Sequence, residues 1–118
     1  MPRYRHLELL SQGEVSVVRL LDPRPFQGDE IEELLDEWNA VAECTEYQTL
    51  VMDCSNVEMV NSEVLSRLVS LQRRLKRKGR KLVLCGLRAH AREVLGWTGL
   101  NRYFEIKGDG ETDSVAWA

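Results

Sequence analysis

Two short apolar runs with a helical segment between them constrain the fold of this chain more than any other feature. Thr49–Asp53 and Lys81–Cys85 show little polar alternation and are too short for helices, so each predicts a strand buried on both faces. The 62–78 segment between them has apolar residues at helical spacing, and Gly79 follows it as a typical C-terminal cap. Its inner stripe consists of Val64, Leu65, Leu68, Leu71, Gln72 and Leu75. This strand–helix–strand order predicts parallel pairing through a right-handed crossover.

A second amphipathic segment precedes these elements. Residues 22–25 contain two prolines, which exclude a helix interior, and beyond them the apolar period changes from two to about 3.6. The sequence therefore predicts a first helix that begins near Asp29, where Asp29 and Glu32 have the spacing of a capping box. The apolar face of this helix contains Ile31, Leu34, Leu35, Trp38, Val41 and Ala42.

The two ends of the chain complete the predicted sheet. Residues 5–10 and 15–21 are β-rich runs separated by a Gln-Gly turn, so they predict an antiparallel hairpin. A third helix is predicted over residues 88–96 and a last strand over residues 102–106. The fold class is therefore α/β, with one domain over residues 1–118 and a mixed sheet of four to five strands on which the helices pack. Helices one and two each follow a parallel strand, so both should begin at the carboxyl end of the sheet, where the sites of α/β proteins usually lie.

Composition narrows the class of protein. The chain is 43% hydrophobic and 30% charged, and no apolar run reaches the roughly 18 residues of a membrane span, so we expect neither a disordered nor a membrane protein. The three cysteines lack Cys-x-x-Cys spacing, which argues against a disulfide framework or a zinc site. No export signal is visible, and a reducing cytoplasm is the expected location. The formal net charge of -3 gives no general attraction to nucleic acid or to an anionic membrane.

The strongest local signal lies between the first buried strand and the helix after it. The chain reads VMDCS at residues 51–55, VEMV at 57–60 and NSEVL at 61–65. These residues resemble the STAS family, the sulfate-transporter and anti-sigma-factor-antagonist domains. In that family a strand ending in apolar-Asp-Leu-Ser leads through a short apolar segment to Asp-Ser-Ser-Gly-Leu at a helix start. The order of elements is similar along nearly the whole chain, and GLNRYF at residues 99–104 is similar to the closing segment of the family.

This resemblance implies an anti-sigma-factor antagonist that sequesters a kinase-type anti-sigma factor and so frees a sigma factor. In regulatory members of the family the first serine of the motif accepts phosphate from this partner, a GHKL-type serine kinase, and by alignment that serine is Ser62. The chain departs from the motif at three positions: Asn61 replaces Asp, Glu63 replaces the second Ser, and Val64 replaces Gly. Many members of the family lack a usable serine, so the alternatives are a non-phosphorylated STAS scaffold and a sensor of a small ligand.

The position of Ser62 also suits a phosphate on physical grounds. A hydroxyl in the first turn of a helix lies beside free backbone N–H groups and the positive end of the helix dipole, so a phosphate is tolerated there. The simpler interpretation is that Asn61 is the N-cap, with Ser62 and Glu63 as ordinary residues of the first turn.

The predicted partner surface combines this helix start with the loop before helix one. Its candidate residues are Asn61, Ser62, Glu63, Pro23, Arg24, Phe26 and Gly28. The acidic residues expected at the same end of the sheet are Glu58, Glu63, Asp29 and Glu30. We therefore expect a negative potential that favours a basic partner surface.

The remaining candidate sites have simpler explanations. The basic run over residues 73–81 lies at a helix C-terminus, where cations stabilise the helix dipole, and it lacks a nucleic-acid-binding motif. Cys85 and His90 suggest a thiol enzyme only remotely, because no orienting carboxylate is clearly placed. Asp53 has no second metal ligand at a meaningful spacing, and no glycine-rich loop indicates a bound nucleotide. The sequence therefore predicts a protein-binding module and not an enzyme, with no cofactor or metal and no direct contact with nucleic acid or membrane.

Overall fold

A mixed sheet of five strands organises residues 5–24, 28–44 and 47–107, which are the residues that the structure, a computed structural model, describes. The strands are β1 (Leu7–Ser11), β2 (Val15–Leu20), β3 (Thr49–Asp53), β4 (Lys81–Cys85) and β5 (Glu105–Ile106). The helices are α1 (Asp29–Cys44), α2 (Ser62–Arg77) and α3 (Ala89–Thr98), and a short 3-10 turn covers Leu100–Arg102. The predicted α/β class and mixed sheet are confirmed.

The strand order determines where the helices begin. The strands lie in the order β1-β2-β3-β4-β5, in which β1 is antiparallel to β2 and every other neighbouring pair is parallel. Each of α1, α2 and α3 follows a strand of the parallel part, so all three begin at the carboxyl end of the sheet. The loop before α1 and the loop before α2 therefore share that end.

Both faces of the central strands are buried. On one face the main core contains Val18, Met52 and Leu84, and on the other face a separate cluster contains Val17, Val51, Val83 and Cys85. Successive side chains of a strand point to opposite faces, so burial of both faces favours apolar residues at consecutive positions. This accounts for the absence of polar alternation in β3 and β4.

The apolar face and the ends of α2 agree with the sequence. Its buried residues are Val64, Leu65, Leu68, Leu71 and Leu75, and the predicted Gln72 is half-buried beside them. The helix ends at Arg77, and Gly79 follows with a φ of 73°, a left-handed conformation that favours glycine.

The start of α1 differs from the predicted capping box. Gly28 precedes the helix with a φ of 55°, and its carbonyl accepts a hydrogen bond from the Ile31 N–H at 3.2 Å. Asp29 is therefore the first helical residue and not the cap, so the capping-box prediction is wrong. Asp29, Glu30 and Glu32 still favour the helix, because their carboxylates lie near the positive end of the helix dipole.

The C-terminal elements differ most from the prediction. α3 ends two residues later than expected, and Gly99 follows it with a left-handed φ of 78°. The chain then turns through Leu100–Arg102, where the Tyr103 N–H donates to the Leu100 carbonyl at 2.9 Å. This turn includes Arg102, where the last strand was predicted to begin, and the strand itself covers only Glu105–Ile106.

Candidate partner-binding site

Two loops meet at the carboxyl end of the sheet. The Pro23 carbonyl accepts hydrogen bonds from the backbone N–H groups of Glu58 and Met59, at 2.9 and 3.2 Å. Pro23 lies in the loop before α1, whereas Glu58 and Met59 lie in the loop before α2. The structure thus brings the first loop against the segment that leads to Ser62. Phe26, which the sequence also suggested for this surface, lies outside the described residues.

Asn61 caps α2. Its backbone is extended, with φ −124° and ψ 171°, and its Oδ1 accepts a hydrogen bond from the Val64 N–H at 2.9 Å. This bond satisfies one of the N–H groups that the start of a helix leaves without an intrahelical acceptor. The interpretation of Asn61 as the N-cap is confirmed.

Ser62 is the first helical residue of α2, and both Ser62 and Glu63 are exposed. The Ser62 hydroxyl makes no hydrogen bond with any residue that the structure describes. It lies in the turn where backbone N–H groups lack intrahelical acceptors, so a negative charge on its oxygen is compatible with the helix. The hydroxyl is therefore open to a reacting partner.

α3 orders the same loop from another side. The Val60 N–H donates to Nδ1 of His90 at 3.2 Å, and this nitrogen accordingly acts as an acceptor. The bond fixes the residue directly before the Asn61 cap. Sequence reasoning missed this role because 30 positions separate the two residues and no local pattern relates them.

Cys85 lacks the properties of a nucleophile. It is fully buried in the cluster with Val17, Val51 and Val83. Burial, with a further contribution from the Asp53 charge, raises the pKa of the Cys85 thiol to about 12. Because the thiolate is the reactive form, a thiol that stays protonated at neutral pH does not support the thiol-enzyme alternative.

Asp53 stabilises the end of β3. The carboxylate is completely buried; its Oδ2 accepts a hydrogen bond from Nε of Arg19 and its Oδ1 accepts one from the Ser55 N–H, both at 2.9 Å. Gly86 packs so closely that a Cβ there would lie 2.9 Å from Oδ1. Across residues 5–24, 28–44 and 47–107, no group of three or more His, Cys, Asp or Glu side chains is arranged to hold a metal ion.

A buried histidine directly before β1, which the sequence did not reveal, contacts both the loop before α1 and α1 itself. Nδ1 of His6 lies 2.5 Å from Oδ2 of Asp22, and Nε2 lies 2.9 Å from Oε2 of Glu33 on α1. Burial of the ring lowers the pKa of His6, but hydrogen bonds to Glu33 and Asp22 and the charges of Asp22 and Glu37 outweigh burial, so the pKa is raised. Asp22 directly precedes Pro23, so this cluster positions the loop that contacts Glu58.

The carboxyl end of the sheet, where α1 and α2 begin, carries several exposed acidic side chains. The exposed residues there are Glu58, Glu63, Asp29, Glu30, Arg24 and Gly28. Glu58, Glu63 and Asp29 have no ion pair with any residue in the described part of the chain. Their charges are therefore not neutralised within the described chain, and a basic partner surface would complement them.

The basic run makes contacts within the chain at the opposite end of α2. Arg74 and Lys78 both pair with Glu43 near the end of α1. The Arg80 guanidinium lies 4.4 Å from the centroid of the Tyr47 ring. These contacts hold Arg74, Lys78 and Arg80 against other parts of the chain, and the helix dipole also favours cations at this end of α2.

Comparison with known proteins identifies the family. The STAS domain model matches residues 8–112, and the chain belongs to the STAS domain family. No curated protein matches the sequence. None of the helices in the described residues has the length and apolar character needed to cross a bilayer.

Solved structures that share the fold include proteins described as anti-sigma factor antagonists. An anti-sigma factor antagonist from Mycobacterium paratuberculosis is 23% identical with a TM-score of 0.70, over 85% of this chain and 82% of that protein. A STAS domain protein from Planctomyces limnophilus, also described as an anti-sigma-factor antagonist, is 17% identical with a TM-score of 0.75, over 92% and 94%. The Bacillus cell fate determinant SpoIIAA in its phosphorylated form is 16% identical with a TM-score of 0.65, over 92% and 94%.

Proposed function

We propose that this protein is an anti-sigma-factor antagonist that captures a GHKL-type anti-sigma factor kinase in the cytoplasm and thereby frees a sigma factor. The observation that carries the proposal is the state of Ser62, an exposed first-turn serine whose hydroxyl is not engaged by any described residue. STAS proteins of similar fold include anti-sigma-factor antagonists, and one was solved in a phosphorylated form. The proposed contact residues are Asn61, Ser62, Glu63, Pro23, Arg24, Phe26 and Gly28.

The charges around Ser62 support recognition of a basic partner. Glu58 and Glu63 flank the loop and helix start, and Asp29 begins the neighbouring helix at the same end of the sheet. Complementary charges accelerate association and fix the orientation of the partner. The protein then acts by protein recognition and not by catalysis of its own.

Phosphorylation of Ser62 would switch this contact off. A phosphate adds about -1.5 to -2 charge at neutral pH. The start of α2 tolerates that charge because of its N–H groups and dipole, so the fold persists. A partner packed against Ser62, in contrast, would have to accommodate the added group and desolvate its charge next to Glu58 and Glu63.

Phosphorylation and binding by the purified kinase-type anti-sigma factor of the same organism provide the test. We expect that kinase and ATP place phosphate on Ser62 and that Ser62→Ala binds the partner but resists phosphorylation. Ser66→Ala is the matched control, since Ser66 is an exposed serine one turn later on α2. Ser62→Glu should weaken binding by about tenfold or more while the melting temperature stays nearly unchanged.

Two outcomes would contradict the switch. If the phosphate were found on another residue, Ser62 would not be the site of the switch. If Ser62→Glu bound the partner as tightly as the wild type, a negative charge at residue 62 would not weaken binding. Absence of any binding to the kinase would reject the antagonist assignment itself.

A non-phosphorylated STAS scaffold is the second candidate. Asn61 and Glu63 stand where the family motif has Asp and Ser, and Asn61 caps α2 through its side-chain Oδ1. A partner that binds with equal affinity before and after incubation with ATP and the kinase would favour this scaffold.

A further inference from the structure

A basic concavity lies at the amino end of the sheet, opposite to Ser62. Its walls come from the last two turns of α2, the start of β4 and the turn that precedes β5. The open space measures about 470 Å³ for the centres of water-sized atoms. The charged residues that line it are Lys76, Arg80, Lys81, Arg102 and Glu105, so four cations share the concavity with one carboxylate.

Two of these cations are engaged within the chain. Arg80 is held by its contact with an aromatic ring, whose centroid lies 4.4 Å from the guanidinium carbon. Nζ of Lys81 lies 3.4 Å from Oε1 of Glu105. Lys76 and Arg102, in contrast, are exposed and have no ion pair or side-chain hydrogen bond with any residue that the structure describes. Two positive charges at the concavity are therefore not compensated within the described chain.

The turn that carries Arg102 is fixed to the helix that carries Lys76. Nε2 of Gln72 on α2 donates a hydrogen bond to the Tyr103 carbonyl at 3.4 Å. The Tyr103 ring meets the Phe104 ring edge to face with the centroids 5.2 Å apart, and Phe104 is 4% exposed, so it anchors the turn in the core. The backbones of the two uncompensated cations therefore keep their relative positions without a ligand.

The adjacent end of α2 has some of its carbonyls already satisfied. The Leu75 carbonyl accepts a hydrogen bond from the Arg80 N–H at 2.9 Å, and the Lys76 carbonyl accepts one from the Gly79 N–H at 3.0 Å. The helix dipole still disfavours an anion at this end, so an anion depends on the cationic side chains. Lys76 and Arg102 have long, exposed side chains, whose charged ends are free to close on it.

We propose that the concavity binds a small phosphate monoester, with the phosphate group between Lys76 and Arg102. A phosphate monoester carries about -1.5 to -2 charge at neutral pH, which matches two uncompensated cations better than the single charge of a carboxylate does. Ammonium and guanidinium groups both bind phosphate. The volume lies in the range of about 300–1,000 Å³ that small-molecule sites occupy. This site goes beyond the proposed function, since it requires neither a kinase nor Ser62.

A pair of probes with the same aromatic ring tests the charge of the ligand. Phenyl phosphate carries a dianionic group at about pH 8, whereas benzoate carries a single negative charge. Each is titrated into the full chain at about 0.15 M salt while NMR follows the backbone N–H signals. We expect a saturable shift of the Arg102 and Tyr103 signals, and about fivefold or more tighter binding of phenyl phosphate than of benzoate.

Two pairs of substitutions separate the concavity from the surrounding positive charge. Lys76→Gln and Arg102→Gln should each weaken binding of phenyl phosphate by about threefold or more, because each removes a cation that lines the concavity. Arg73→Gln and Arg77→Gln are the matched controls, since both residues are exposed on α2 but do not line the concavity. The controls should change the affinity by less than about twofold, because salt screens the more distant charges.

Three results would overturn the proposal. They are the absence of saturable binding, equal affinity for phenyl phosphate and benzoate, and equal losses of affinity in the concavity variants and the control variants. The last result would assign the binding to the general positive charge of α2. All four variants replace exposed residues, so each should keep a melting temperature close to that of the wild type.

Discussion

The imidazole of His6 bridges Asp22 and Glu33, so one buried ring joins the loop after β2 to the second turn of α1. The backbone N–H of His6 adds a hydrogen bond to Oε1 of Glu37 at 2.9 Å. Through Asp22, this cluster holds the residue next to Pro23, whose carbonyl binds the loop before α2. A titratable residue, His6, thus helps to position the loop that forms part of the candidate partner-binding site.

The free energy of unfolding should depend on pH through this cluster. The pKa of His6 is raised from 6.5 in the folded protein. Protonated His6 therefore stabilises the fold fully below pH 6.5, and this stabilisation is lost as the pH rises through the folded-state pKa. The pKa of Glu33 is lowered from 4.5, chiefly by its hydrogen bond to His6, so its contribution is lost as the pH falls through the folded-state value. The cluster should therefore stabilise most between pH 4.5 and 6.5.

Urea unfolding of wild type and His6→Gln at about pH 6 and about pH 8.5 checks this dependence. Wild type should lose more free energy of unfolding across that interval than His6→Gln does. His90→Gln, which removes the other histidine of the chain and keeps His6, should retain the dependence of the wild type. Equal slopes for wild type and His6→Gln would reject the assignment.

Leu68 should contribute strongly to stability. It is 6% exposed on the inner stripe of α2, so Leu68→Ala should lower the free energy of unfolding by about 2–5 kcal/mol. Arg77→Ala, at an exposed residue of the last turn, should change it by less than about 0.5 kcal/mol. Denaturant melts of both variants provide the measurement, and a similar loss in the two would place Leu68 outside the core.

Two glycine substitutions should have opposite effects. Gly86 has a φ of 67°, and a Cβ there would lie 2.9 Å from Oδ1 of Asp53, so Gly86→Ala should destabilise by about 1–3 kcal/mol. Gly96 lies in α3 with no atom within 4 Å of its added Cβ, so Gly96→Ala should stabilise by about 0.5–1 kcal/mol. Thermal melts of the two variants test both predictions. If Gly86→Ala were as stable as the wild type, the close contact between residue 86 and Oδ1 of Asp53 would not require glycine.

Capping and signalling should separate at adjacent residues. Asn61→Ala removes the acceptor for the Val64 N–H and should cost about 0.5–2 kcal/mol. Ser62→Ala removes a hydroxyl with no partner in the described residues and should leave the free energy of unfolding within about 0.5 kcal/mol of wild type. Denaturant melts measure both changes. If Ser62→Ala lost more free energy of unfolding than Asn61→Ala, Asn61 would not be the residue that caps α2.

Features that depend on neighbouring residues in the sequence were predictable. The apolar stripe of α2 and its Asn61 cap follow from helical periodicity and from one residue type at one position. The buried strand Lys81–Cys85 was equally clear, because burial on both faces leaves an unbroken apolar run. These local signals also located the candidate site, since the chain order of strands and helices determines which loops share an end of the sheet.

Features that depend on tertiary contacts were not predictable. His6 meets Asp22 and Glu33 only because the sheet brings β1, the β2–α1 loop and α1 together, across 16 and 27 positions in the chain. The start of α1 was predicted incorrectly because Gly28 precedes the helix in a left-handed conformation, and its backbone carbonyl, not a polar side chain, accepts the first hydrogen bond there. No residue type or spacing in the sequence predicts either arrangement.

The sequential order of the strands bears on how the chain reaches its fold. Every strand pairs with the strand that precedes or follows it, so the sheet can grow by one strand and one helix at a time without threading. Loop closure between such neighbours costs less entropy than pairing of more distant segments would. We therefore expect β1, β2 and α1 to be available for pairing before β5 has been synthesised, so that each later parallel strand adds to the edge of the strand before it.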